Sequence, residues 1–135
     1  MNDSVYQQKL LTLAKMARPG EELPSADFRV CRRNPLCGDE ILLTASGDKD
    51  NLRLLRQRTR GCILCEAAAV KMLEFSAQQP NKAALRKLCH DILPMFAGAM
   101  PPAMAVFSPV IKHPARYGCV LLPFEALAAL LQDED

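Results

Sequence analysis

Three features of the sequence predict a single domain of mixed helix and strand. The composition is half apolar yet poor in aromatic residues, three short β-like stretches lie between residues 28 and 59, and an alanine-rich run begins at Cys62. At 135 residues the chain is the size of one ordinary domain that closes one hydrophobic core. Trp is absent, so the core must be built mainly from Leu, Ala, Val and Met, a composition that favours helices.

Residues 4–17 carry Val5, Leu10, Leu11, Leu13 and Ala14 at near-helical spacing, and Pro19-Gly20 ends the segment, so a first amphipathic helix is expected there. Beyond a loop at 21–27, Phe28-Arg29-Val30-Cys31 and residues 40–45 read as short strands. They are parted by Asn34-Pro35 and by Cys37-Gly38-Asp39, which puts Cys37 in a tight turn. Residues 46–51 form a turn cluster, and residues 52–59 alternate Leu with Arg. We read them as a third strand, although the same run also suits a helix. After Gly61, residues 62–75 are a continuous series of good helix formers. Gln79-Pro80-Asn81 breaks that helix and starts another over 82–93, which Pro94 closes. Residues 94–109, rich in Met, Ala and Pro, are expected to form a short irregular helix. Residues 120–131 are expected to form a terminal helix running into the acidic tail Gln132-Asp133-Glu134-Asp135.

The 17 basic and 15 acidic residues leave a formal charge of +2, without the basic footprint of a nucleic-acid binder. Basic residues gather locally at Arg29, Arg32 and Arg33 and at Arg53, Arg56, Arg58 and Arg60. A solvated face is expected there, with a patch for an acidic protein partner as the alternative. No run of eighteen apolar residues occurs and the first residues do not read as a secretory signal, so the expected setting is cytoplasmic, with no membrane. In that setting six cysteines read as thiols for metal or redox chemistry rather than as a disulfide framework.

Three of the thiols sit at the ends of elements: Cys37 in the turn between strands, Cys62 at the mouth of a helix, and Cys119 at the start of the last helix. Unpaired N–H groups and the dipole at a helix N-terminus favour thiolate, and Arg58 and Arg60 would add to this. Asp39, across Gly38 from Cys37, can return its carboxylate to the same point. The four residues would then complete a tetrahedral set for Zn²⁺ or hold an iron-sulfur cluster. The alternative for each cysteine is a small buried hydrophobe.

Asn34-Pro35-Leu36-Cys37-Gly38-Asp39 followed by a strand, Gly61-Cys62 opening a helix, and the run from Pro114-Ala115-Arg116-Tyr117-Gly118-Cys119 to Ala126-Leu127 resemble, in order, three motifs of the NifU/IscU/SufU family of iron-sulfur cluster assembly proteins. The resemblance spans residues 28–131. The 56 residues between Cys62 and Cys119, and Gly118 where the IscU type has His, place it nearest the SufU type. It implies an α+β fold, a three-stranded antiparallel sheet with helices packed on one face (SufE/NifU-like), in one NifU N-terminal-like domain over residues 1–135. It also implies Zn²⁺ held by Cys37, Asp39, Cys62 and Cys119, with Cys119 accepting persulfide sulfur from a cysteine desulfurase in a sulfurtransferase-like step. A scaffold role would use the same four residues to assemble iron or a [2Fe-2S] cluster and pass it to downstream iron-sulfur assembly or acceptor proteins. A structural zinc module for protein interaction is the reading outside the family.

Cys65 stands where the family has Ser and is a secondary site candidate, as a fifth thiol or as a residue buried against the sheet. Arg116 matches a family arginine and could balance thiolate charge, or simply lie at the surface. The loop Ala17-Arg18-Pro19-Gly20 and Phe124 depart from the family pattern. Cys31 and Cys89 are expected to be structural. His90 is expected at the surface, because adjacent helical side chains diverge by roughly 100° and Cys89-His90 cannot readily share one ion. His113 could approach the site through its turn.

Overall fold

The computed structural model describes residues 3–132, so the acidic Asp133-Glu134-Asp135 lies outside the described residues. Strands β1 (Phe28–Arg33), β2 (Glu40–Gly47) and β3 (Leu52–Arg60) form an antiparallel sheet in the order β1-β2-β3. The Leu/Arg alternation of 52–59 resolves as strand. With Val30 opposite Leu43 and Leu43 opposite Gln57, one face collects Ile41, Leu43 and Ala45, while Arg56, Arg58 and Arg60 fall on the other. The β2–β3 turn needs Gly47, whose φ of +155° accompanies a register shift and whose Cβ, if present, would lie 2.1 Å from the Asn51 carbonyl oxygen.

Four helices follow the expected segments: α1 (Asp3–Met16), α2 (Ile63–Ala77), α3 (Lys82–Ile92) and α4 (Tyr117–Leu130). Asn81 caps α3 through its side chain, which accepts from the Ala84 N–H at 2.9 Å. Helices α2 and α4 cover the inner face of the sheet, α1 lies against α2, and α3 against α4. Ile41, Leu43 and Ala45 have no exposed surface, and neither do Ala68, Ala69 and Met72 of α2 or Phe124 and Leu127 of α4. Alanines at 67–69 let α2 approach the strands closely, and each fully buried Leu or Ile adds about 1.5–3 kcal/mol.

The outer face is the solvated arginine surface. Arg29 and Arg58 both pair with Glu22, Arg56 with Glu21 (3.1 Å) and Arg33 with Glu40 (3.5 Å). Glu21 and Glu22 come from the loop before β1, which crosses that face and is held by Leu23 N–H on Thr44 Oγ1 at 3.0 Å.

Two expectations shift. Residues 94–97 are a turn and 98–101 are irregular, and the ordered segment is a 3₁₀ run, Pro102–Lys112, followed by a second at Pro114–Arg116. Pro101, Pro102 and Pro109 lack the N–H groups that an α-helix over 94–109 would need. Met104 and Phe107, with no exposed surface, anchor the run in the core. The last helix also begins earlier than residue 120, at Tyr117, whose ring stacks on Phe96 at 4.1 Å and whose hydroxyl donates to the Ile111 carbonyl at 2.6 Å. Cys119 therefore lies within the first turn of α4. Among the described residues no helix is long and apolar enough to cross a membrane.

Candidate metal and sulfur site

The loop between β1 and β2 is organised by Asn34. Its backbone N–H donates to the Asp39 carbonyl (2.8 Å), its carbonyl accepts from Gly38 N–H (2.8 Å), and its side-chain Oδ1 accepts from Leu36 N–H (3.0 Å). This is an Asx turn with Pro35 at its first corner, and Gly38 closes it at φ +78°, a conformation that favours glycine. The result is a knuckle that carries Cys37 outward and turns Asp39, 4% exposed, inward.

Asp39 binds the start of α2 twice. Its Oδ1 accepts from the Cys62 backbone N–H at 3.1 Å and its Oδ2 from the Cys62 thiol at 3.3 Å. Gly61 makes this possible, since a Cβ there would lie 2.6 Å from the Asp39 carboxylate carbon. From α4, Cys119 brings its Sγ to 3.6 Å from Cys37 Sγ. One donor atom each from Cys37, Asp39 and Cys119 lies within 4.8 Å of the other two, and Cys62 reaches the group through Asp39.

The expected thiolate character at helix ends is reversed. Burial is the largest influence on Cys62 and pushes its pKa up; the Cys65 backbone N–H pulls it down, and the Asp39 hydrogen bond and charge push it up again. Cys119 is driven far above the ordinary thiol range, first by burial and then by its contact with Cys37, the nearby Cys62 sulfur and the Asp39 carboxylate. The helix dipole loses because its fractional charge is small beside the cost of burying an anion next to the Asp39 carboxylate. Arg58 does not change this balance, because its guanidinium is held by Glu22 on the outer face.

A divalent cation would supply the positive charge that this donor set lacks. Thiolates around zinc at a bond length of about 2.3 Å stand roughly 3.8 Å apart in a tetrahedron, close to the 3.6 Å between Cys37 and Cys119. Soft sulfurs with one carboxylate fit zinc and iron alike, so the cluster is chemically suited to hold a metal.

Gly118 has its own constraint. A Cβ at this position would stand 2.8 Å from Asn34 Nδ2, so the space where a histidine would leave the helix is filled by the loop's organising amide. That Nδ2 is the one buried side-chain polar atom without a hydrogen-bond partner among the described residues.

The remaining candidates are not among the three gathered donors. Cys65, one turn beyond Cys62, is fully buried in the core, and burial, followed by the charges of Asp39, Cys62 and Cys37, carries its pKa far upward. Cys89 is buried at 3% exposure, and Cys31 lies on the outer face of the sheet with its thiol 3.6 Å from Glu40 Oε2. Arg116, His90 and His113 are all exposed. The sequence reading passed over Asn34 as an organiser, Gly61 as clearance and the Arg18–Glu66 pair. That pair forms two hydrogen bonds, at 2.8 and 2.6 Å, that anchor the loop after α1 to the first turn of α2. Asn before Pro in a turn was the available signal for the first; nothing in the sequence pairs Arg18 with Glu66.

No protein-family model and no curated protein matches the chain. Solved structures do. A proposed iron-sulfur cluster assembly scaffold protein for the SUF system of Fervidobacterium islandicum superposes with a TM-score of 0.81 at 21% identity, over 98% of this chain and 100% of that one. The N-terminal part of a nitrogen-fixing NifU-like protein from Brucella abortus gives a TM-score of 0.81 at 20% identity, over 96% of this chain and 93% of that one. A hypothetical protein gives 0.80 at 24% identity, over 98% and 100%. The chain has the α+β fold of SufU and NifU-like proteins, with its cysteine and aspartate donors gathered at one end of the sheet.

Proposed function

We propose that this chain is a single-domain iron-sulfur cluster assembly protein of the SufU type. In this reading it holds Zn²⁺ through Cys37, Asp39, Cys62 and Cys119 and accepts persulfide sulfur from a cysteine desulfurase in the cytoplasm. The observation that carries the reading is the convergence of Cys37 and Cys119, 82 residues apart in sequence, to 3.6 Å beside a buried aspartate. Zinc, when bound, would stabilise as thiolates Cys62 and Cys119, whose pKa values burial raises.

Cys119 acts as the nucleophile on the outer sulfur of a persulfide, forming a new S–S bond while the donor cysteine leaves as thiolate. Asp39 anchors Cys62 and the mouth of α2, so the donors stay in place when Cys119 is freed. Arg116, exposed at the foot of α4, is available to offset the negative charge of the thiolates or to meet a partner. Cys65 backs the site from the core.

Desulfurase turnover with and without the chain tests this directly. Stimulation that disappears in Cys119→Ala supports the assignment, whereas undiminished stimulation in that variant removes it. A second reading, assembly of a [2Fe-2S] cluster on the same thiolates for transfer to acceptor proteins, is favoured by the description of the Fervidobacterium protein as a scaffold. Anaerobic loading with iron and sulfide, followed by visible absorption, separates the two, and metal analysis of the purified chain identifies the resident ion.

A further inference from the structure

We propose that the open half of the β3 edge, Leu52 to Arg56, takes an extended segment of a partner protein as a fourth strand, and that acidic and apolar residues alternate along that segment. The sheet ends in β3, and the two halves of its outer edge differ. Over the second half, the loop after α1 closes the edge. The Glu21 N–H donates to the Gln57 carbonyl at 2.8 Å, and Gln57 Nε2 donates to the Ala17 carbonyl at 2.9 Å. Among the described residues, no backbone hydrogen bond from outside the sheet reaches residues 53–56.

Because the Gln57 carbonyl points away from β2, strand alternation turns the N–H and carbonyl of Leu55 the same way. The Ala45 carbonyl, opposite Leu55, agrees by turning to the Asp27 N–H at 2.9 Å on the β1 side. The Leu55 carbonyl is met by the guanidinium of neighbouring Arg56 at 3.1 Å, a bond that a backbone N–H of an added strand would replace. An edge open in this way is a template for strand addition.

Beside this half lies a cavity of about 330 Å³ between β3, the end of α2 and the start of α3, with Leu52, Leu55, Leu73 and Leu85 in its walls. Arg53 and Arg56 also line it, and no acidic residue does. Their acids, Asp48 at 3.8 Å and Glu21 at 3.1 Å, have side chains 58% and 73% exposed, so a partner's carboxylates can displace them at little cost. On the added strand, the residue beside Leu55 points inward with it towards the cavity and must be apolar. Its two neighbours point outward with Leu54 and Arg56, where acidic side chains meet the arginine. A second copy of this chain fits worse, since two β3 edges would bring Arg53 and Arg56 of both chains onto one strand pair. The open half lies at the opposite end of β3 from Gly61 and Cys62, so it is separate from the thiol site.

The probe is a fluorescein-labelled, amidated peptide, Ser-Glu-Val-Glu-Leu-Glu-Val-Glu-Ser, added to the full chain. Binding is read by fluorescence anisotropy and amide hydrogen exchange by NMR. Saturable binding is expected, with the Leu55 amide exchanging about ten-fold more slowly in the complex. Arg56→Glu reverses a charge on the outer face, and Leu55→Pro removes the edge N–H while leaving the β2 ladder intact; each should weaken binding at least about ten-fold. A peptide with Lys in place of every Glu should not bind. Arg56→Glu alters a solvated side chain, so a loss of fold in Leu55→Pro leaves the charge test standing. No saturable binding, equal binding of the lysine peptide, or undiminished binding by Arg56→Glu overturns the proposal. So does Leu55 exchange in the free chain that slows as its concentration rises, because a second copy then holds the edge.

Discussion

Cys62 and Cys65 stand one helical turn apart, yet their surroundings differ. Cys62 is half-buried at the mouth of α2, where Asp39 takes its thiol and its backbone N–H; Cys65 is sealed in the core among alanines and the sheet. The same division separates Cys37 and Cys119 at the loop end from Cys89 in α3. Burial raises the pKa of Cys62, Cys119, Cys65 and Cys89 alike, so a shifted thiol does not by itself mark a site. What marks one is a second donor close enough to share a cation. An isolated buried thiol stays neutral and behaves as a small hydrophobe.

The largest expected effect breaks the site and spares the core. Asp39→Ala should weaken zinc binding at least about 100-fold, while Cys89→Ala leaves it unchanged, as measured by competition with a chromogenic chelator. Equal losses in the two variants would erase the distinction.

The next prediction reads the core thiol alone. Burial pushes Cys89 up to about 11, above the ordinary 9.0, so the folded state keeps a proton that the unfolded chain releases first. Stability from this group is complete below about pH 9 and is lost as pH rises towards 11, by about 2–3 kcal/mol. Chemical denaturation of the metal-free chain across that interval should show a decline that is shallower in Cys89→Ala.

Gly61→Ala sharpens the comparison from the backbone side. Its Cβ would stand 2.6 Å from the Asp39 carboxylate, so zinc affinity should fall about 10- to 100-fold with little change in helix content by circular dichroism. The smallest effect belongs to Cys65→Ser, which restores the residue usual at that position in the resembling family. It puts a hydroxyl into the core, so stability should fall by about 1 kcal/mol and zinc stoichiometry should stay the same. Loss of zinc in this variant would move Cys65 into the site.

Strand and helix positions were legible because each rests on a local pattern. Arg56, Arg58 and Arg60 recur at every second position of β3, as a strand with one wet face requires, and Pro80-Asn81 both breaks α2 and caps α3. The 3₁₀ run was less legible, since Met, Ala and Val suit a helix while Pro101, Pro102 and Pro109 forbid an α-helical ladder. In the site, the Asn34–Asp39 loop could be read from Asn-Pro and from the glycine beside Cys37, because an Asx turn closes within a few residues. The charge state of the thiols could not, because burial is produced by the whole fold.

By itself the sequence determined the order of elements and the turn that presents Cys37, both of which depend on neighbours within a few positions. Only the tertiary structure decided that Cys119 returns across 82 residues to lie 3.6 Å from Cys37, and that Asp39 rather than an arginine faces Cys62. It also decided that Cys65 lies in the core, one turn from the site, and that Gly118 leaves room for Asn34 rather than for a ligand. The physical reason is range: backbone geometry and periodicity act along a few residues of chain, whereas burial, desolvation and the sharing of a cation depend on groups that meet only after the sheet and helices have packed.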